Sequence, residues 1–455
     1  MYSLRETNMC WIGSIPKEWQ LERVKHHFYL AKEKAHQDNP VVLSLARSGV
    51  KIRDISNNEG QIAESYYDYN PVRPGDLLLN TMDLQSGDNC NVSHVYGVIS
   101  PAYANLRSFG TANPEYYNYY FKIQYLIMAL FAHGKGVSQD NRWTLNNDAL
   151  LNYYIPVPPR DEQDQIVRYL DWQTSRINKL IRGYQQEIIL IRERAQSEIS
   201  SAVLQGLDKN VKMKAVGIQN IDYIPEHWRI LQNKRIFAER SEVTTTGNET
   251  LLSVSKHYGV KPYDDLTDSE QYATIKPAES LVGYKKVMRH DVAMNIMRAR
   301  NGSYGVSEYD GIVSSAYAVF KPIIECNPRY MHYLLKTPQV IGIFESYSYG
   351  IAEHRRRLYA VDFLRLHLPV PPIEEQNEIA RYIERVQGRA QSTIQKIHKE
   401  IDLLREYRAR LISDVVTGQK DVRGIEIPEY TIEEDIDEIT DTDDMTDEEV
   451  YEDAE

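Results

Sequence analysis

Apolar residues recur at spacings of four and three over a long stretch in each half of the chain. The first stretch covers residues 177–202 and the second covers residues 390–415. This spacing predicts a long helix whose apolar stripe packs against another helix. The other faces are Arg, Glu, Gln and Lys, so we expect the two stripes to bury each other rather than a globular core. The predicted seam comprises Ile177, Ile181, Tyr184, Ile188, Ile191, Ile394, Ile397, Ile401, Leu404 and Leu411.

Each predicted helix follows the same motif, and a constant offset relates the two copies. Pro156 and Pro369 both open a Pro-Val-Pro-Pro segment that leads to Glu-Gln, so equivalent positions are 213 residues apart. Prolines suit the position just before a helix, and acidic residues suit its first turn. A repeat of this length indicates an internal duplication rather than a solenoid of short repeats.

The segments ahead of the two helices share apolar and turn positions but differ in their polar loops. An Ile-Pro-x-x-Trp opening, a short aliphatic strand with a Gly-containing loop, and an Asn-Pro helix start occur in both. In the loop after the strand, Arg47-Ser48 of the first half is matched by Lys-His-Tyr at residues 256–258. A duplicated scaffold with diverged loops indicates two similar modules that contact different ligands or different parts of one ligand.

The length of the connection between the halves favours one pairing of the helices. Helices of about 42 residues are roughly 60 Å long, and the link from Gly206 to Ile224 extends to about 58 Å at most. A parallel pair would use most of that reach, whereas an antiparallel pair needs none of it. The sequence therefore predicts an α+β protein in which two similar α/β modules are separated by two long helices. These helices pack as an antiparallel coiled coil with pseudo-twofold symmetry.

The charge of the chain is unevenly distributed. The formal net charge is -12, but after Arg423 the chain has no Lys or Arg and carries 16 Asp and Glu. The rest of the chain holds 53 basic and 49 acidic residues. Its slight excess of positive charge is compatible with a nucleic-acid partner. Blocks of like charge are typical of disordered tails.

Cysteine usage and hydropathy bear on the compartment. The three cysteines, Cys10, Cys90 and Cys326, form no CxxC motif, which favours a reducing cytosol and no structural zinc. No signal-peptide pattern opens the chain, and the longest apolar run is too short for a bilayer. We therefore expect a cytoplasmic protein without a metal of its own.

The repeated motifs resemble those of the specificity subunit of type I restriction–modification enzymes. The resemblance rests on the Ile-Pro-x-x-Trp openings, the Leu-Ser-x-x segments, the Pro-Val-Pro-Pro-x-x-Glu-Gln helix entries and the Leu-Leu-Arg-Glu-Tyr-Arg…Val-Val-Thr-Gly-Gln ending, over about residues 15–422. It implies target-recognition domain 1 at 1–155, conserved helix 1 at 156–206, a linker at 207–223, target-recognition domain 2 at 224–368 and conserved helix 2 at 369–418. The block of acidic residues, which lies outside the family pattern, predicts an acidic disordered tail at 419–455.

The resemblance implies a non-catalytic DNA reader. Each recognition domain would bind one half of a bipartite, asymmetric site in double-stranded DNA, and the coiled coil would act as a ruler across an unread spacer. The helices would dock two methyltransferase (modification) subunits, which restriction/translocase subunits would join. S-adenosylmethionine, ATP and Mg would bind those partners and not this chain. In agreement, the sequence has no GxxxxGK[ST], GxGxxG, HExxH or Asn/Asp-Pro-Pro-aromatic motif.

Base reading needs Arg, Lys, Asn, Gln or Ser at groove edges, with other basic groups on phosphates. Which of the candidates read bases and which hold phosphates stays open, although residues 355–357 favour phosphate contact. The predicted DNA-binding residues are Arg47, Ser48, Lys51, Lys135 and Arg142 in the first half, and Lys256, His257, Tyr258, Arg298, Arg300, Asn301, Arg355, Arg356 and Arg357 in the second.

Two other functions fit the same sequence. A coiled-coil protein-interaction adaptor agrees with the acidic pI of about 5.6, and a solitary DNA-binding regulator would lack methyltransferase partners. A steep salt dependence of DNA binding separates the DNA readers from the adaptor. The identity of the DNA target does not follow from the sequence.

Overall fold

The computed structural model describes residues 2–55, 63, 65–84, 90–136, 143–267, 270, 278, 280–350 and 356–432. The chain divides into two compact units. Unit 1 combines Met1–Gln186 with Ile397–Ile439, and unit 2 is built on Glu187–Lys396. Both divisions fall inside a long helix, so each unit contains one module together with a stretch of each helix.

The first half of the chain is a series of short strands and two helices ahead of a long helix. The strands are β1 (Leu4–Glu6), β2 (Ser14–Pro16), β3 (Gln20–Arg23), β4 (Phe28–Leu30), β5 (Leu43–Ala46), β6 (Gly49–Ile52), β7 (Asn70–Val72), β8 (Leu77–Leu79), β9 (Cys90–Val92), β10 (Gly97–Ile99), β11 (Ala104–Ser108), β12 (Lys135–Gly136), β13 (Trp143–Thr144) and β14 (Tyr154–Val157). The helices are α1 (Pro114–Leu126), α2 (Asn147–Leu151) and α3 (Arg160–Gln205).

The second half repeats this plan. Its strands are β15 (Met213–Ile218), β16 (Ile221–Pro225), β17 (Arg229–Gln232), β18 (Phe237–Glu239), β19 (Leu252–Ser255), β20 (Gly259–Pro262), β21 (Lys285–Val287), β22 (Val292–Met294), β23 (Tyr304–Val306), β24 (Gly311–Val313), β25 (Ala318–Pro322) and β26 (His367–Val370). Its helices are α4 (Pro328–Leu335), α5 (Pro338–Ser346), α6 (Ala360–Arg365) and α7 (Ile373–Val416).

The same four-stranded antiparallel sheet lies in each unit. Its order is β4-β11-β8-β9 in unit 1 and β18-β25-β22-β23 in unit 2. The β8 strand of unit 1 and the β22 strand of unit 2 are fully buried, as expected for central strands. The α+β class with two similar domains and long helices is thereby confirmed.

Each long helix enters from a strand that pairs with the Trp-containing opening of its own unit. In unit 1, β14 pairs with β3, and in unit 2, β26 pairs with β17. The adjacent indoles of Trp19 and Trp228 are both buried. The repeated motifs of the sequence are therefore the contacts that fix a helix to its module.

Within each unit the two long helices run antiparallel. In unit 1, Arg408 of α7 donates to Asn178 Oδ1 of α3 at 2.6 Å, so a late position on one helix meets an early position on the other. In unit 2, the end of α3 at Val203 and the start of α7 at Ile383 belong to one buried apolar cluster. In unit 1, Gln165, earlier on α3 than Asn178, contacts Val422, which follows Arg408 along the chain. This order of contacts is antiparallel, as the linker argument predicted.

The predicted seam residues lie on the inner faces of these helices. Six are buried and four are half-buried: the buried ones are Ile177, Ile181, Ile188, Ile397, Ile401 and Leu411, and the half-buried ones are Tyr184, Ile191, Ile394 and Leu404.

The predicted linker at 207–223 was wrong in most of its length. Met213–Ile218 forms β15, which pairs with β16 as β1 pairs with β2 in unit 1. Asn220 adopts a positive φ of 63° in the turn, and Val216 packs against the core. The segment is a strand because Val216 and Ile218 alternate with polar or small neighbours, a period of two that buries one face.

The predicted disordered tail at 419–455 was wrong in its first part. Val422 is fully buried, and Gln165 Nε2 of α3 donates to the carbonyls of Val422 at 3.1 Å and Ile425 at 2.9 Å. An apolar anchor and satisfied carbonyls order this stretch despite the acidic residues beyond it. Residues 420–430 are here called the strap, and residues 433–455 lie outside the described part of the chain.

Candidate nucleic-acid interface

Two β-hairpins present the predicted loops at equivalent places in the two units. The β5–β6 hairpin of unit 1 carries Arg47 in its turn, and the β19–β20 hairpin of unit 2 carries residues 256–258. Arg47, His257 and Lys51 of β6 are exposed, whereas Lys256 and Tyr258 are half-buried. Arg47, Lys51 and His257 therefore lie at the solvent-exposed surface of their hairpins.

A side chain from inside unit 1 fixes the turn of its hairpin. Asn91 of β9 is buried, and its Nδ2 donates to the carbonyl of Ala46 at 2.6 Å and to that of Arg47 at 3.3 Å. Buried carbonyls need such donors because they have lost water. The position of Arg47 is thus set by a contact from the central sheet.

A different side chain holds the equivalent carbonyls in unit 2. Lys336, just after α4, donates from Nζ to the carbonyl of Ser255 at 3.4 Å and to that of Lys256 at 3.1 Å. It also donates to Gly302 O at 2.6 Å. One ammonium therefore ties the hairpin to the turn that carries the next predicted residues.

That turn is a short 3-10 segment, Ala299–Asn301, which ends at Gly302 with a φ of +85°. Asn301 is exposed, and Arg298 and Arg300 are half-buried. The structure thus brings the turn at 298–301 next to the hairpin loop at 256–258, two segments that the sequence placed only in the same half.

The ammonium of Lys336 lies in a site without a carboxylate partner. No ion pair among the described residues involves it, and the ring of Tyr304 lies 5.2 Å from Nζ. Burial lowers the pKa of Lys336 to about 8, and burial together with this ammonium lowers the pKa of His332 to about 4. Among the described residues, carbonyl oxygens and one aromatic ring surround this half-buried ammonium. Groups with strongly shifted pKa values are concentrated at functional sites.

The aromatic residue of the unit 2 loop is fixed as well. Tyr258 Oη lies 2.6 Å from Ser253 Oγ, and Lys261 Nζ lies 5.7 Å from the centre of the ring. The Tyr258 side chain is therefore a pre-positioned ring rather than a mobile one.

The remaining predicted residues are dispersed. Lys135 is exposed on β12 and Arg357 is exposed, whereas the Ser48 hydroxyl is buried without a hydrogen-bond partner among the described residues. Arg356 donates to the carbonyls of Ser348 at 3.0 Å and Glu345 at 2.8 Å, so it caps the end of α5. Arg142 and Arg355 lie outside the described residues.

Sequence reasoning missed the residues that hold the loops from below. Those residues are Asn91 and Lys336. Sequence reasoning also missed one ion pair in the central sheet of each unit. Arg107 Nε of β11 lies 2.7 Å from Asp76, and Arg240 Nε, just after β18, lies 2.6 Å from Asp291. The recurrence of an Asp before β8 and β22 was a visible signal, but the arginines come from different strands and have no common position.

Among the described residues, no helix is both long and apolar enough to cross a membrane. In the same part of the chain, no group of three or more His, Cys, Asp or Glu side chains is placed to hold a metal ion.

Comparison with known proteins agrees with this arrangement. The family described as type I restriction modification DNA specificity domain matches residues 251–403. The EcoBI specificity subunit of a type I restriction enzyme from Escherichia coli is 23% identical over 409 residues, which cover 81% of this chain and 79% of that protein. The putative MjaX specificity subunit from Methanocaldococcus jannaschii is 20% identical, over 61% of this chain and 62% of that protein.

A solved structure shares the fold. A chain from a structural study of complex assembly and conformational transition in a type I restriction–modification system superposes with a TM-score of 0.61 at 14% identity. The match covers 89% of this chain and 99% of the other. The fold consists of two similar modules with equivalent hairpins. In sequence the chain is similar to specificity subunits of type I restriction–modification systems, the family that its repeated motifs resemble.

Proposed function

We propose that this chain reads a bipartite, asymmetric site in double-stranded DNA, with one half bound by each module. The observation that carries the proposal is that the same two loop carbonyls are held by Asn91 in unit 1 and by Lys336 in unit 2. The scaffold is common to the two units, and the side chains it presents are not. Two readers with one architecture and different loops fit a site with two different halves.

The chemistry of the loops supports DNA as the ligand. Arg47 and Lys51 in unit 1, and Lys256 with His257 in unit 2, offer donors to base edges and charge to phosphates. The half-buried Lys336 ammonium adds positive potential beneath the unit 2 loop. Rigid support from below keeps these groups in place before DNA arrives, which reduces the entropy that binding costs.

The chain would act without chemistry of its own and in a complex. Two methyltransferase subunits, carrying S-adenosylmethionine, and ATP-dependent restriction subunits with Mg would supply the reactions. The long helices would serve as their scaffold. Purified alone and mixed with S-adenosylmethionine and duplex DNA, the chain should transfer no methyl group.

A selection experiment tests the reading. The purified chain is incubated with a random duplex library at two salt concentrations, and bound DNA is sequenced. We expect enrichment of two short conserved blocks separated by an unconserved spacer of fixed length, with affinity falling steeply with salt. Enrichment of a single block, or binding that is insensitive to salt, would refute the proposal and favour the protein adaptor.

A further inference from the structure

The hairpin of unit 2 packs more closely on its neighbouring strand than a side chain at the strand's centre would allow. Counted from the Asn-Pro starts of α1 and α4, Asn91 of β9 and Gly305 of β23 take the same position, 214 residues apart. A Cβ at residue 305 would lie 3.0 Å from the Cα of Gly259 and 3.3 Å from the ring of His332. Unit 2 therefore leaves little room for a support like the Asn91 side chain.

Lys336 supports the hairpin from the end of α4 instead. Tyr304 of β23 is buried, and its Oη donates to the carbonyl of Leu335 at 2.8 Å, which fixes the helix end beneath the hairpin. The equivalent lysine of unit 1, Lys122, is also half-buried. Among the described residues, Lys122 makes no hydrogen bond to the β5–β6 hairpin, whose carbonyls are held from β9. The support by a lysine is therefore particular to unit 2.

The number of N–H groups on the charged Lys336 side chain matches the number of carbonyls around it. An ammonium has three N–H groups and no lone pair. The carbonyls of Ser255, Lys256 and Gly302 lie 3.4, 3.1 and 2.6 Å from Nζ. A neutral amine keeps only two N–H groups, and its lone pair is repelled by the third carbonyl oxygen. Loss of the proton therefore weakens the connection between the hairpin and the turn at 298–301.

Titratable and charged groups lie on each element around Lys336. They are His332 of α4, Tyr304 of β23, Glu308 just after it, Lys256, His257 and Tyr258 of the hairpin, and Arg298 and Arg300 of the turn. Burial lowers the pKa of Lys336 to about 8, so its charge changes between pH 7 and pH 9. Burial and the nearby ammonium lower the pKa of His332 to about 4, and burial raises the pKa of Tyr304. Both rings therefore stay neutral over this range.

We propose that Lys336 is a positioning residue for one half-site: its ammonium holds the loop at 256–258 and the turn at 298–301 as one surface, and recognition of that half-site requires both segments. The inference rests on the proposed function, because it assigns a role within the same site. In unit 1 the corresponding hydrogen bonds come from the Asn91 amide, which carries no titrating proton. Recognition of one half-site should therefore depend on pH, and recognition of the other should not.

The test measures how well the full chain discriminates at each half-site. The probes are the duplex enriched by library selection and two duplexes in which one conserved block is scrambled. The ratio of dissociation constants, scrambled over enriched, is measured by fluorescence anisotropy at pH 7, 8 and 9. The block read by unit 2 is the one that alanines at residues 256–258 relax. We expect its ratio to fall about tenfold between pH 7 and pH 9, the discrimination supplied by one good base contact, and the other ratio to stay constant.

Substitutions assign the pH dependence to Lys336. Lys336→Arg keeps its charge at pH 9, so the ratio for this block should no longer change with pH. Lys336→Met should give at pH 7 the ratio that wild type has at pH 9. Lys122→Met removes the equivalent lysine of unit 1 and is the matched control, so both of its ratios should follow wild type at every pH. Thermal melting checks that each variant is folded.

Two kinds of result overturn the inference, and they are distinguishable. If wild type enriches no pair of blocks at pH 7, the proposed function fails and the inference fails with it. If two blocks are enriched but both ratios stay constant or fall together, only the role of Lys336 is wrong. The same holds if Lys336→Met keeps the wild-type ratios or their pH dependence. Loss of the fold does not mimic the expected result, because deprotonation of Lys336 relieves the cost of its burial and raises the free energy of unfolding.

Discussion

Gln376 Oε1 accepts a hydrogen bond from the backbone N–H of Asn327 at 2.9 Å, although the two residues are 49 positions apart. The same amide donates from Nε2 to Pro371 O at 2.9 Å. Gln163 makes both contacts in unit 1, to Asn113 N at 2.8 Å and to Pro158 O at 2.9 Å. The Glu-Gln of the helix entry therefore joins the long helix to the cap of the module helix.

Replacing Gln376 by alanine should destabilise unit 2. The side chain is buried, and its loss leaves the Asn327 N–H and the Pro371 carbonyl without their partner, at about 1–3 kcal/mol for each unsatisfied group. Denaturant unfolding followed by fluorescence measures the change. Gln395→Ala, on an exposed face of the same helix, should stay within about 0.5 kcal/mol of wild type. Equal stability of the two variants would contradict the role of Gln376.

Gly418, two residues after the end of α7, has a φ of +71°, and a Cβ there would overlap the ring of Pro16. Gly418→Ala should therefore lower the free energy of unfolding by about 1–2 kcal/mol through backbone strain alone, with the overlap adding to it. Gly388 lies inside the same helix with open space around it. Gly388→Ala should raise the free energy of unfolding by about 0.5–1 kcal/mol. The two substitutions should therefore change the free energy of unfolding in opposite directions.

The lowered pKa of the half-buried Lys336 ammonium predicts a pH dependence of stability. Its pKa is about 8 in the fold against a usual value of 10.5. Below pH 8 the folded and unfolded states are both protonated, and the fold carries the desolvation cost. Between pH 8 and 10.5 only the unfolded state keeps the proton, so the free energy of unfolding gains from this group as pH rises.

The measurement compares wild type with Lys336→Met by denaturant unfolding at pH 7 and pH 10. The difference in stability should move in favour of wild type at the higher pH. Lys399→Met, an exposed lysine, corrects for the removal of one positive charge. A difference that is constant with pH, or that moves towards the variant, would show that Lys336 keeps its proton throughout this range.

Recognition should be modular. Replacing Lys256, His257 and Tyr258 together by alanine removes the polar surface of the unit 2 hairpin but leaves unit 1 unchanged. In a library selection, one conserved block should weaken or relax, and the other should keep its sequence. Arg47→Ala with Lys51→Ala is the reciprocal variant. Simultaneous changes in both blocks from either variant would exclude independent readers.

The sequence by itself determined the duplication, the two long helices and their antiparallel seam. These features depend on local periodicity and on motifs such as Pro-Val-Pro-Pro-x-x-Glu-Gln, whose effects arise within a few turns of the chain. It also located the Gly-containing loops at Arg47 and at residues 256–258, because a loop after an aliphatic strand has a local signature. That these loops are hairpin turns came from the structure. The difference between the polar loops was visible for the same reason.

The tertiary structure alone decided what supports those loops and what covers the helices. Lys336 and Asn91 meet the hairpin carbonyls from distant elements, and their roles depend on burial that no local pattern encodes. The β15 strand, in contrast, has a local alternation of Val216 and Ile218 that the sequence analysis overlooked. From the sequence, the strap was predicted to be part of a disordered acidic tail. The structure shows that it is ordered, because Val422 is buried in unit 1. Contacts of this kind form when folding brings segments together that are far apart in the sequence. Local sequence patterns do not indicate which of these segments will meet.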